Sequence, residues 1–260
     1  MNLPKLELVP AKSPLKIGDD VSDIEPNIFD DCILVDTDGT QVGLFIKKLP
    51  DDLNTLVNIA DLELKSKRVP KSDMLRTVSA VKQYSTILGS IPIKPHLGRA
   101  YPSRSSVHGK KSANTFVKAM YGAGIKCFEL VKKYIPDVAG HHLSKIDERV
   151  PERWRFANNF TSTISNCNIS APIHQDHANV KGAINMIITK RRNSKGGKQH
   201  VPEFNAIFDQ TDNSLLVYPA WRNRHGVTPI IPTYQDGYRN SHVWYALDSF
   251  HSLDDKKKVN

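Results

Sequence analysis

In the segment SNCNISAPIHQDHANV, His174 and Asp176 stand two residues apart. In an extended segment such residues project to the same side, so an imidazole and a carboxylate can reach one ion. Two ligands do not complete a site. A facial triad for non-haem Fe(II) needs a second histidine and leaves three positions open for co-substrate and oxygen. Of the ten histidines, His177, His200, His225, His242 and His251 follow the pair. His225 is the favoured third ligand, because it lies just past the strand-like run SLLVYP and begins the next, GVTPII, where a sheet can hold it rigidly. His177 is too close to join the pair without distorting the segment, and His200 lies in the loop beginning NSKGGKQ. Both read as surface residues. Taken alone, the HQD triplet is a pattern common enough to arise by chance.

Its context is the segment YRNSHVWY (238–245), which reads as a strand. Alternation puts Arg239 and Ser241 on one face, continued by Val243 and Tyr245. A guanidinium fork and a hydroxyl side by side make a clamp for a carboxylate, because Arg donates two parallel charge-assisted hydrogen bonds and Ser a third. The competing account of Arg239 is an ordinary salt bridge to Asp236 or Asp209. The order HxD, His, Arg-x-Ser favours the clamp.

These residues need elements to hold them. From Asp31 to Leu49 two short apolar runs flank a DGT turn, which predicts a hairpin. Leu53, Leu56, Val57, Ala60 and Leu64 fall at spacings of three and four, the mark of one buried helix face over 51–64. Residues 91–111 (IPIKPHLGRAYPSRSSVHGKK) carry too much Pro, Gly and Ser for a long regular element and read as an exposed loop. A second helix is predicted from Ala113 to Tyr134, with Phe116, Met120, Ile125, Phe128 and Val131 inward and Pro136 stopping it. After Pro151 come the short apolar runs TSTISNCNI, GAINMIIT, AIFD, SLLVYP, GVTPII and HVWYAL. Such spacing describes a barrel or jelly roll with the upstream helices on its outer face, an α+β but mainly β chain. The expected organisation is an N-terminal extension with supporting helices (1–150), a catalytic β core (151–250) and a basic tail (251–260) that reads as a solvated, frayed end.

The 260 residues suit one large domain, and no stretch approaches the apolar run that a membrane span needs. The N-terminus lacks the apolar run of a secretory signal, and Cys32, Cys127 and Cys167 are odd in number and scattered. A reducing, cytoplasmic setting is expected, with no membrane and no obligate protein partner. The net charge of +9 is compatible with a polyanion such as DNA.

The order and spacing resemble the 2-oxoglutarate/Fe(II) dioxygenases, and in particular the TET/JBP branch that oxidises the methyl group of 5-methylpyrimidines in DNA. His174-x-Asp176, His225 49 residues beyond the aspartate, and Arg239 14 residues beyond His225 followed by Ser241 carry the resemblance. The stretches NMIITKRRNSKGGKQHVPEF and LLVYPAWRNRHGVTPI look like small phage-encoded members of that branch, and the likeness covers roughly residues 155–248. It implies a double-stranded β-helix, a metal triad of His174, Asp176 and His225, and 2-oxoglutarate held by Arg239 and Ser241. It further implies Fe(II), 2-oxoglutarate and O2 as the working set, and hydroxylation of 5-methylcytosine or thymine in DNA, in the host cytoplasm for a phage enzyme. With three scattered cysteines the chain lacks the cysteine-rich region of animal TET enzymes, so the resemblance leaves its grip on DNA open. A DNA base would have to be flipped out, with basic residues on the flanking phosphates. Lys110, Lys111, Arg99 and Arg104 are the residues to test. Arg104, Ser105 and His108, then Tyr218, Trp221 and Asn223, are weaker candidates for a base pocket, as are Asn166 and Asn168 for 2-oxoglutarate. A protein hydroxylase of the same fold and a non-catalytic DNA-binding phage protein are the competing readings.

Overall fold

The computed structural model describes residues 3–73 and 82–253. Its strands are β1 (Lys5–Glu7), β2 (Cys32–Val35), β3 (Gln41–Ile46), β4 (Ser72–Asp73), β5 (Tyr84–Ile91), β6 (Ser103–Arg104), β7 (Ser162–Cys167) and β8 (Ala171–His174). They continue with β9 (Asn185–Arg192), β10 (Ser194–Gly196), β11 (Gln199–Val201), β12 (Ala206–Ile207), β13 (Ser214–Tyr218), β14 (His225–Val227), β15 (Ile230–Pro232) and β16 (Tyr238–Tyr245). The helices are α1 (Asp51–Lys65), α2 (Asn114–Tyr134) and α3 (Pro136–Arg149).

The predicted hairpin forms as β2 and β3, antiparallel, with Cys32 opposite Phe45. Helix α1 buries Leu53, Val57, Ala60 and Leu64 of the face its spacing specified, while Leu56 is only partly buried. Helix α2 buries Phe116, Met120, Phe128 and Val131, while Ile125 packs only at the margin. Gly124 lets α2 close on the sheet: a Cβ there would lie 2.5 Å from Trp244 Nε1. Pro136 also opens α3, a helix that the apolar spacing did not predict. Proline suits that position because the first helical turn has N–H groups without intrahelical partners, so its missing donor costs nothing.

The large antiparallel sheet runs β1-β2-β3-β13-β9-β16-β7-β5-β4, with only the β1–β2 pair parallel and β6 also joined to β5. Strands from both halves of the chain thus share one sheet. A smaller sheet, β12-β11-β14-β8, faces it, and β10 pairs with β15. Helices α1 and α2 cover the outer face of the large sheet through Leu53, Phe116, Met186, Leu215 and Trp244. The result is a jelly roll with flanking helices, and its two sheets enclose a cavity of about 470 Å³.

The three cysteines are buried and free. Among the described residues no helix is long and apolar enough to cross a membrane. Of the basic tail expected over 251–260, residues 254–260 lie outside the described residues.

Candidate metal centre

His174 ends β8 and His225 begins β14, and the pairing of these strands sets the two histidines directly opposite each other. Their rings lie 4.2 Å apart, centroid to centroid. Asp176 follows β8 in a turn, held by its backbone N–H on Ala220 O at 3.1 Å. The Gln175 carboxamide, between His174 and Asp176, donates to Trp221 O and Arg222 O at 2.7 and 3.0 Å. The HQD segment is thereby tied to the loop that delivers His225. Donor atoms of His174, Asp176 and His225 all lie within 4.8 Å of one another, and His174 Nε2 is 3.7 Å from Asp176 Oδ1.

The remaining atom of each of the three side chains is already engaged. His174 Nδ1 sits 2.8 Å from Pro172 O and His225 Nδ1 3.1 Å from Asn223 O, which fixes each ring as the Nδ1–H tautomer with Nε2 free to coordinate. Asp176 Oδ2 accepts from Asn185 Nδ2 at 3.0 Å and Asn179 Nδ2 at 3.4 Å, and Asn179 also donates to Asn185 Oδ1 at 2.9 Å. A carboxylate only accepts, so the chain of amides has one workable direction, ending on Oδ2. Oδ1 is left for an ion. Burial, then neighbouring His174, hold the His225 imidazole below its ordinary range and keep it neutral. Two imidazoles and one monodentate carboxylate on one side of an open cavity fit a non-haem Fe(II) ion with free positions.

On the facing strand, Arg239 and Ser241 line the same cavity, followed by Val243 and Tyr245, as the alternation of β16 requires. Arg239 is only 2% exposed, and among the described residues its Nε has no hydrogen-bond partner. One amino group reaches Thr189 Oγ1 at 3.5 Å. Both acids offered as ordinary partners are engaged elsewhere, Asp236 with Arg192 and Asp209 with Lys47 and Lys198. Burial, reinforced by Arg191, pushes the guanidinium down to about 9. An unanswered buried cation of this kind calls for an anion in the cavity.

The weaker candidates separate cleanly. Asn166 and Tyr218 line the cavity. Asn168 instead braces β16 at Arg239, exchanging hydrogen bonds with that residue's backbone: its N–H donates to Arg239 O at 2.8 Å and its Oδ1 accepts from Arg239 N–H at 3.0 Å. Ser105 donates to Ile87 O, His108 Nε2 accepts from Gly89 N–H at 2.8 Å, and Arg104 donates to Arg153 O and Arg155 O. All three serve backbone groups and none lines the cavity. Asn223 donates to Glu203, and Trp221 borders a different cleft. His200, read as a surface residue, is buried in β11 at 4% exposure, because Gln199–Val201 pairs with β14 instead of extending the loop. His177 is exposed, as expected. His242 points to the helix side, bonded to Ser165 Oγ at 2.8 Å. Sequence reasoning missed Gln175, Asn179 and Asn185. The one signal for Asn185 was its parity with Ile187 and Thr189 on the cavity face of β9.

No protein-family model matches the chain. No curated protein matches it either. Among solved structures, NgTET1 in complex with 5mC DNA matches with a TM-score of 0.56 at 12% identity, over 94% of this chain and 92% of that one. A 2OG-Fe(II) oxygenase family oxidoreductase from Burkholderia pseudomallei gives 0.44 at 13% identity over 78% and 84% of the two chains. A prolyl hydroxylase from Trichoplax adhaerens, in complex with a hypoxia inducible factor peptide fragment, gives 0.42 at 14% over 81% and 86%. The first of these supports the fold, a double-stranded β-helix.

Proposed function

We propose that this chain is an Fe(II)- and 2-oxoglutarate-dependent dioxygenase that hydroxylates the methyl group of 5-methylcytosine or thymine in DNA. The observation that carries the reading is Arg239: a buried guanidinium with an unpartnered Nε, beside Ser241, in the cavity that also holds the His174, Asp176 and His225 donors. An ion at the triad and a dicarboxylate reaching from it to Arg239 answer both unmet demands at once. The DNA substrate is supported by the likeness to a structure containing 5mC DNA and by the +9 charge.

When bound, Fe(II) with 2-oxoglutarate and O2 supplies the oxidising power that turns a methyl C–H into C–OH, while 2-oxoglutarate leaves as succinate and CO2. The chain's own residues position the reactants. Arg239 and Ser241 grip the carboxylate remote from the ion. Asn185 and Asn179 keep Asp176 to one ligating oxygen, so that a position is not lost to a second one. Ile164, Ile187 and Val243 give the cavity apolar walls that exclude water from the reacting methyl group.

The test is incubation with Fe(II), 2-oxoglutarate and methylated DNA, followed by mass spectrometry of the nucleosides and assay of succinate. A gain of one oxygen on the methylated base is expected. Asp176→Ala should abolish both products and the binding of Mn(II) as a surrogate ion. Succinate formation with unchanged bases and an oxidised peptide would move the substrate to protein. No 2-oxoglutarate turnover with any substrate would favour a binding module.

A further inference from the structure

The formal charge of +9 is not spread along the chain. From Met74 to Phe128 there are nine Lys and Arg residues and no Asp or Glu, and outside that stretch 27 basic residues are matched by 27 acidic ones. The whole excess therefore belongs to one continuous stretch. An acid-free stretch of this composition repels itself and gains from a polyanion.

Geometry narrows which of the nine are free to meet one. Arg76 lies outside the described residues, and Lys82 has a partner. Arg104 is tied down by the carbonyls of Arg153 and Arg155, and Arg99 is half-buried with one long bond, 3.4 Å, to Pro92 O. Lys126 pairs with Asp52. Lys94, Lys110, Lys111 and Lys118 remain, all exposed and, among the described residues, without an ion pair. Two of these are not the residues that sequence alone selected.

The same stretch is anchored beside the cavity. Gly89, Ser162 and Tyr245 form one row across β5, β7 and β16, and Tyr245 lines the cavity. Two strand spacings put Gly89 about 10 Å from Tyr245 along that row. The segment returning from the loop is clamped there: Ser105 N–H donates to Gly89 O at 2.9 Å, and His108 receives the Gly89 N–H. Lys110 and Lys111 follow directly. Across the cavity His177 and Ala178 are exposed whereas Arg239 is buried, so the cavity opens at the metal end, the end this row marks. Tyr101, 80% exposed in the loop, adds an aromatic face suited to stacking on a base or sugar.

We infer that the surface bearing Lys94, Lys110, Lys111 and Lys118, with Tyr101 in its loop, is the docking face for the phosphodiester backbone of nucleic acid presented to the cavity. The link to the cavity rests on the function proposed above, whereas the charge separation stands by itself. The experiment measures anisotropy of a fluorescein-labelled, unmethylated duplex over a range of salt, with no Fe(II) or 2-oxoglutarate added. It compares wild type with K94A/K110A/K111A/K118A and with a control removing four exposed lysines elsewhere, K12A/K16A/K133A/K195A. Circular dichroism and Mn(II) affinity verify that each variant is folded with its cavity intact.

The four-lysine face variant should bind at least tenfold more weakly at low salt. The slope of log K against log salt should flatten by about 3.6, at ~0.9 for each phosphate that a lysine no longer neutralises. The control should stay within twofold of wild type. Equal losses in the two variants, an unchanged slope, or wild-type binding to phosphatidylserine vesicles but not to the duplex would overturn the inference. A flattened slope with no oxidation of methylated DNA would uphold the face and remove the proposed substrate. Oxidation of methylated DNA with an unchanged slope would do the reverse.

Discussion

Adjacent strands β9 and β16 bury a cation on each face of the large sheet and treat the two differently. On the helix side, Lys190 Nζ is surrounded by Asn58, Asp212 and Asn213, each at 2.9 Å. On the cavity side, Arg239 is just as buried but, among the described residues, has no acid, only a long contact to Thr189. Burying a charge is costly unless it is paired, so the fold supplies a partner wherever the cation serves the fold. Where it supplies none, the partner comes from outside. Under the proposed function, the contrast makes Arg239 the binding residue and Lys190 a structural one.

The largest expected effect tests the cavity side. Arg239→Met should raise the dissociation constant for 2-oxoglutarate roughly 100-fold, since charged hydrogen bonds contribute about 1.5–3 kcal/mol each and 1.4 kcal/mol is tenfold. Without 2-oxoglutarate the same variant should melt no lower than wild type, because it removes an unpaired buried charge. A marked fall in its melting temperature would break the contrast with Lys190.

A second variant sharpens the comparison within the cavity. Asn185→Ala should weaken Mn(II) binding about 10- to 100-fold by calorimetry, the usual consequence of losing a partner that orients a metal ligand. Asn179→Ala should cost less, because its contact with Asp176 is the longer at 3.4 Å against 3.0 Å. Equal affinity in wild type and Asn185→Ala would mean that Asp176 needs no orienting.

The smallest effect belongs to the helix side. Lys190→Met should lower stability to urea by about 1–3 kcal/mol, the range for a lost charged hydrogen-bond partner. The upper end is not expected, as Asp212 is 41% exposed and regains water. Affinity for 2-oxoglutarate should not change. A loss of that affinity matching Arg239→Met would show that the two faces are not independent.

Much of this contrast is legible in the sequence. The parity of β16 places Arg239 and Ser241 together, and the spacing of apolar residues specifies α1 and α2, because period two and period 3.6 are properties of local backbone geometry. The three donors also follow from residue type and order. The loop candidates are less tractable: Ser105, His108 and Arg104 have the side chains of a pocket, but their partners are backbone groups far away in sequence. Pro136 carries two meanings, the stop of one helix and the start of the next, and local sequence does not separate them.

Local pattern thus determined which side chains share a face, while the tertiary structure decided which of them have partners. The pairing of β8 with β14 joins His174 to His225 across 51 residues of chain, and the turn after β8 delivers Asp176 to the amides of Asn179 and Asn185. That Arg239 is buried with no acid among the described residues, although Asp236 stands three residues before it in sequence, is a fact of packing alone. Hydrogen bonds and ion pairs act over a few ångströms of space, and distances of that kind do not exist until the sheets close.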